Sequence, residues 1–124
     1  MSIQTSLAAA AVAGLAGFAP ALAASPAAEV RQGHELAEMI CTACHQVAAS
    51  QDIPTILDPP APSFQTIADR PSTSLASLRR FMAHTKWDEH TLPMKMPDLM
   101  LQPEQETALA RYILSLRAAP GAKP

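Results

Sequence analysis

Two cysteines and a histidine stand together at Cys41-Thr42-Ala43-Cys44-His45, and the chain has no other cysteine. On a helix, Cys41, Cys44 and His45 fall at i, i+3 and i+4, on one face. Two thiols so placed can add across the two vinyl groups of a haem, leaving thioether bonds, while the imidazole takes an axial position on the iron. Other uses of this motif fit less well. A structural zinc site needs about four ligands. A thioredoxin-like pair follows a strand in a βαβ pattern, which the sequence does not show. A disulfide across three residues would close only a tiny loop. The five residues therefore point to covalent haem.

A second axial ligand would have to come from a distant segment folded over the opposite haem face. The candidates are Met82, Met94, Met96, Met100, His34, His84 and His90. A thioether favours ferrous iron and raises the reduction potential, whereas a second histidine would lower it. Met39, close to the attachment motif, is expected in the core.

The elements that position these groups read as helices. Residues 28–45 carry few β-branched side chains, and Val30, Leu36, Ala37 and Ile40 are spaced for one apolar side. Pro54, Pro59, Pro60 and Pro62 make 46–62 a loop. Residues 63–69 can form a short helix bearing Phe64 and Ile67. Beyond the cap candidates Ser72, Thr73 and Ser74, the residues Leu75, Leu78 and Met82 repeat as a helical stripe fading near Thr85. A second loop with Pro93, Pro97 and three methionines spans 86–101. The last helix opens at Pro103, with Glu104 and Glu106 opposing the positive end of its dipole. Its apolar face is Ala108, Leu109, Tyr112, Ile113 and Leu116.

The first charged residue of the 124 is Glu29. An apolar run from Leu7 to Phe18, followed by Ala21-Leu22-Ala23, has the form of a secretory signal peptide cleaved after Ala23. No Lys or Arg precedes the run, so the alternative is an uncleaved anchor. Residues 1–23 are thus expected to be a signal peptide and 24–124 a single domain, exported to the periplasm. Such a domain has a thin core. Its aromatics are Phe64, Phe81, Trp87 and Tyr112, so burying a large apolar cofactor would add much to it.

The net charge is −2, which speaks against nucleic acid as a partner. Charge is unevenly distributed. Residues 29–69 hold one arginine against six acids, and residues 70–95 hold five basic residues against two acids. Such asymmetry can orient a docking encounter, although two solvated faces explain it equally well.

Gly33, the Cys41-to-His45 motif, Met96-Pro97 and a final helix with Leu109 and Tyr112 resemble the class I monohaem cytochromes c. The resemblance covers nearly all of the chain after the leader. It implies an all-α, small cytochrome c-like fold of three to five helices, wrapped around one covalent haem c, with crossing N- and C-terminal helices. It also implies iron ligation by His45 and Met96, with Met94 as the rival two residues away. Pro97, with its fixed φ and missing N–H, would help keep the methionine loop extended. In the crossing, Gly33 and Ala37 would offer a surface of small residues to Leu109 and Tyr112. A backbone carbonyl of Pro62, or else of Pro59 or Pro60, would accept the His45 ring proton. Two features depart from the family. Many relatives have a large aromatic where Ala37 stands, and lysines do not dominate the motif side as they do in mitochondrial-type members.

The function implied is one-electron transfer between periplasmic or membrane-bound redox proteins, by a monomer or by a subunit of a redox complex. With both axial positions filled, the iron has no place for a small-molecule substrate, so an electron-transfer protein is expected rather than an enzyme. Two alternatives stand beside it: a haem subunit of an exported dehydrogenase or oxidase complex, and a haem enzyme or sensor with a labile sixth ligand.

Overall fold

The computed structural model describes residues 24–84 and 96–118. The expected signal peptide and the candidate ligands Met94 and His90 lie outside these residues. Four helices occur in the described residues: α1 (Pro26–Ile40), α2 (Phe64–Asp69), α3 (Leu75–His84) and α4 (Pro103–Ser115). The all-α expectation holds, since the extended backbone pairing among them is one isolated parallel bridge, His45 with Ala61.

Each helix begins where its sequence supplies a cap. Ser25 Oγ accepts the Ala28 amide at 3.2 Å, with Pro26 in the first turn. Ser63 Oγ accepts the Thr66 amide at 3.1 Å. Ser74 and Ser77 bond reciprocally, amide to hydroxyl, at 2.9 and 3.1 Å. The Gln105 side chain accepts the Gln102 amide at 2.9 Å, ahead of Pro103. These contacts satisfy N–H groups that the first turn of a helix leaves unpaired. α2 stops at Asp69 because Arg70 precedes Pro71 and is driven into extended geometry, with φ −66° and ψ 130°.

The architecture centres on α1 packed across α4. Gly33 and Ala37 are buried on α1, facing buried Ala108, Leu109, Tyr112 and Ile113 on α4. A Cβ placed on Gly33 would lie 2.1 Å from the Ala108 carbonyl oxygen and 2.7 Å from Tyr112 Cβ, so only glycine permits this approach. An ion pair between Glu29 and Arg111 joins the same two helices. α3 rests on α4 through buried Leu78 and Met82. Pro26, Val30, Leu75, Arg111, Leu114 and Ser115 line a shallow groove where α1, α3 and α4 meet.

The end of α4 is clamped to the corner between α2 and α3. Arg117 Nε donates to the Ala68 carbonyl at 2.9 Å, and a terminal nitrogen of its guanidinium donates to the Thr73 carbonyl at 2.7 Å. Asp69 accepts from Gln65 Nε2 at 2.9 Å and from the Ala118 amide at 3.0 Å. The Gln65 bond first, then the Ala118 amide and the Arg117 charge, hold the Asp69 carboxyl below its ordinary value. Its folded pKa is depressed, so its contribution is present above the unfolded carboxylate range and is lost as pH falls through the folded value. Asp69→Ala should therefore unfold at lower urea than the parent at pH 7. The difference should close in acid, as paired denaturation curves would register.

Two expectations need correction. α1 ends at Ile40 rather than running to His45. Met39 is 76 % exposed rather than in the core, because it lies off the stripe that faces α4.

Candidate functional site

Beyond Ile40 the chain leaves the helix in tight turns that keep the motif folded on itself. The Cys41 amide still donates to Ala37 O at 2.9 Å, the Cys44 amide to Cys41 O at 3.1 Å, and the His45 amide to Cys41 O at 2.9 Å. These i→i+3 and i→i+4 bonds bring Cys41, Cys44 and His45 together much as a helix would, although the segment is not one.

The loop that follows returns to the motif in a defined register. The Ile56 amide donates to Ala43 O at 2.9 Å, the Ala61 amide to Cys44 O at 2.9 Å, and the Phe64 amide to Gln46 O at 3.0 Å. Residues 44–46 and 61–64 thus lie side by side, and the Pro62 carbonyl meets His45. His45 Nδ1 is 2.7 Å from Pro62 O. A carbonyl only accepts, so the ring proton sits on Nδ1 and Nε2 keeps its lone pair for a metal. Of the three prolines that could have supplied this carbonyl, Pro62 does so.

The imidazole is backed by aromatic rings. Phe64, buried, lies with its ring centroid 5.4 Å from that of His45. Tyr112 is 6.3 Å from Phe64, and His34 is 4.8 Å from Tyr112. The Tyr112 hydroxyl donates to the Val47 carbonyl at 2.9 Å in a buried bond. Burial, and secondarily the Glu38 carboxylate, push the Tyr112 phenol above its ordinary value, so it stays a donor. Sequence reasoning placed Phe64 in a short helix and Tyr112 in the helix crossing. It missed that both stand behind His45, for which the scarcity of aromatics was the available signal.

The thiols are unpaired, Cys41 buried and Cys44 half-buried. Burial first, and then Cys44, push the Cys41 thiol up to about 11. Reactive redox pairs have the opposite shift, toward the thiolate. Burial thus works against thiolate formation at Cys41.

Among the other candidate ligands, Met96 is half-buried and packs on the core cluster to which Cys41 also belongs. Met82 is buried on α3, whereas Met100 is 83 % exposed. His34 faces Tyr112, and its Nε2 lies 3.3 Å from a Glu38 carboxylate oxygen, so it is engaged between α1 and α4. His84 is exposed at the end of α3. No cluster of three or more His, Cys, Asp or Glu suited to hold a bare metal ion occurs among the described residues.

These residues fit a haem. Two free thiols and an imidazole with an open Nε2 share one tight turn. Around them Ile40 and Ile56 expose 37 % and 84 % of their surface, one next to Cys41 and the other tied by its amide to Ala43.

Residues 30–117 match the family model for cytochrome c. The chain belongs to the cytochrome c family. It is also similar to cytochrome c-552 of Bradyrhizobium diazoefficiens, being 35 % identical over 91 residues that span 73 % of this chain and 78 % of that protein. No solved structure matches. Members of this family carry covalently attached haem c with iron, and the Cys41–Cys44 spacing agrees with that cofactor. The chain is thus a haem c electron-carrier cytochrome. Among its described residues, no helix is long and apolar enough to cross a membrane.

Proposed function

We propose that this cytochrome c is exported to the periplasm after loss of residues 1–23. There it shuttles single electrons between periplasmic or membrane-bound redox proteins, with domain 24–124 folded around one haem. Cys41 and Cys44 would form the thioethers, His45 Nε2 would ligate the iron on one face, and Met96 on the other. When bound, the haem supplies a one-electron ferric/ferrous couple.

The protein's own part is positional. The bond from His45 Nδ1 to the Pro62 carbonyl is the observation that carries this reading. It fixes the tautomer, turns Nε2 away from the carbonyl and makes the ring a stronger donor. Met96 opposite, a soft ligand in a loop stiffened by Pro97, would offset this by favouring the ferrous state. With His45 and Met96 both holding the iron, the chain would leave it no open position, which suits a carrier.

The test is expression with export and haem attachment, followed by separation under denaturing conditions. The parent should keep its haem through denaturation and show a low-spin spectrum, and the mature N-terminus should be Ala24. Replacing both thiols, Cys41→Ser with Cys44→Ser, should abolish retention of haem in the denatured chain, while either single change should leave one thioether. Undiminished retention in the double variant would overturn the attachment. Carbon monoxide binding to the reduced parent at neutral pH would overturn the six-coordinate reading.

A further inference from the structure

We infer that Tyr112 is a positioning residue for the axial imidazole, holding the segment that carries His45 through the hydrogen bond from its phenol to the Val47 carbonyl. The inference rests on the reading of His45 as an iron ligand and adds to it a residue 67 positions away in the chain.

The argument begins with what fixes His45. Its ring proton is held by Pro62, and residues 44–46 are paired with 61–64 by the Ala61-to-Cys44 and Phe64-to-Gln46 bonds. Those bonds set the two segments against each other and join them, through Cys41 and Phe64, to the ends of α1 and α2, but they include no hydrogen bond to α4. Val47, 1 % exposed, sits two residues beyond His45. Its amide is taken by Gln51 Oε1 at 2.8 Å, within the same loop. Its carbonyl is taken by Tyr112, on α4.

Tyr112 is well placed to act as the anchor. Its Cβ lies so near Gly33 that a methyl group there would stand 2.7 Å away, so its backbone position is held by the close packing of α1 on α4. Its ring meets both His34 and Phe64, and Phe64 in turn meets the His45 ring. The helix crossing therefore reaches the imidazole by two routes, ring packing through Phe64 and the phenol bond through Val47. The hydroxyl is the part of this arrangement that packing alone does not require.

Removing the hydroxyl leaves a buried carbonyl without its partner. The 46–48 segment would relax, and the His45–Pro62 bond, now 2.7 Å, would weaken. A weaker bond at Nδ1 makes the ring a poorer donor to iron and stabilises the ferric form less, so the reduction potential rises.

The experiment compares the haem-loaded parent, Tyr112→Phe and Ile113→Val. The last removes a buried methyl group from α4 without touching Val47. In Tyr112→Phe, the ferrous-to-ferric ratio at a fixed ambient potential should rise about three- to tenfold, tenfold being 59 mV for one electron. The His45 Nδ1 proton should exchange faster by NMR. Ile113→Val should lose stability with no change in potential. Because the chain has one tyrosine, biosynthetic 3-fluorotyrosine alters position 112 alone. It makes the phenol a stronger donor while keeping the native sequence, and the potential should then shift in the opposite direction.

An unchanged potential in both Tyr112→Phe and the fluorinated protein would overturn the inference and leave Tyr112 a packing residue. An equal shift in Ile113→Val would overturn it too, by showing general loosening of the core. If the parent itself lacks a histidine-ligated low-spin spectrum, the ligand reading fails first and this inference falls with it.

Discussion

Gly33→Ala should cost this protein at least about 2 kcal/mol of stability, and Gly33→Val more, enough to leave a domain of this size poorly folded. In most helices the change to alanine would be favourable by about 0.5–1 kcal/mol, because glycine loses the most conformational entropy on folding. Here the added methyl would stand 2.1 Å from the Ala108 carbonyl oxygen and 2.6 Å from its carbon. Neither atom can rotate away, since both belong to the backbone of α4. The two helices would have to separate, and burial at Ala37, Leu109 and Tyr112 would loosen with them. Urea denaturation of the two variants beside the parent measures the effect. A midpoint for Gly33→Ala equal to or above that of the parent would show that the crossing is not as close as described.

Met96→Ala is the second large effect. Loss of a thioether ligand should lower the reduction potential by at least about 100 mV, a modest part of the roughly 0.8 V over which axial ligands set haem potentials. The reduced variant should also bind carbon monoxide, because a position on the iron has opened. Met94→Ala, two residues away, should retain the parent's potential and reject carbon monoxide. Potentiometric titration of the three proteins decides between the methionines. If Met94→Ala shows the fall and Met96→Ala does not, the ligand is Met94. Met96 would then be left with its place against the core cluster that contains Cys41.

The family's cofactor was legible in the Cys41-to-His45 motif because its chemistry depends on five adjacent residues. The helices were legible for a similar reason: Pro103, Glu104 and the stripe from Ala108 to Leu116 describe α4 without help from the rest of the chain. The end of α1 was not. No glycine or proline lies between Ile40 and His45, and the turns there use bonds of nearly helical spacing, so the sequence pattern continues where the helix stops. Met39 was misplaced because nearness to the motif outweighed its position on the helical wheel.

The register at the site was hidden for a different reason. Pro59, Pro60 and Pro62 can each offer a carbonyl, and only the pairing of 61–64 with 44–46 selects Pro62. The Tyr112–Val47 bond spans 65 residues of sequence, and the Arg117 clamp spans 49 to Ala68. No local pattern announces either one. Arg117 lies two residues beyond the end of α4. The structure shows that it ties α4 to the carbonyls around α2, the helix that begins immediately after the loop holding His45.

The groove that Pro26, the first residue of α1, and Ser115, the last of α4, line together has a consequence for how this unit can be used. Pro26, at the start of α1, and Ser115, at the end of α4, are neighbours, so a linker joining those two helix ends need not cross the molecule. A circular permutant closed there and opened within 46–62 should keep the α1–α4 crossing. The same neighbouring helix ends would suit insertion into a surface loop of another protein.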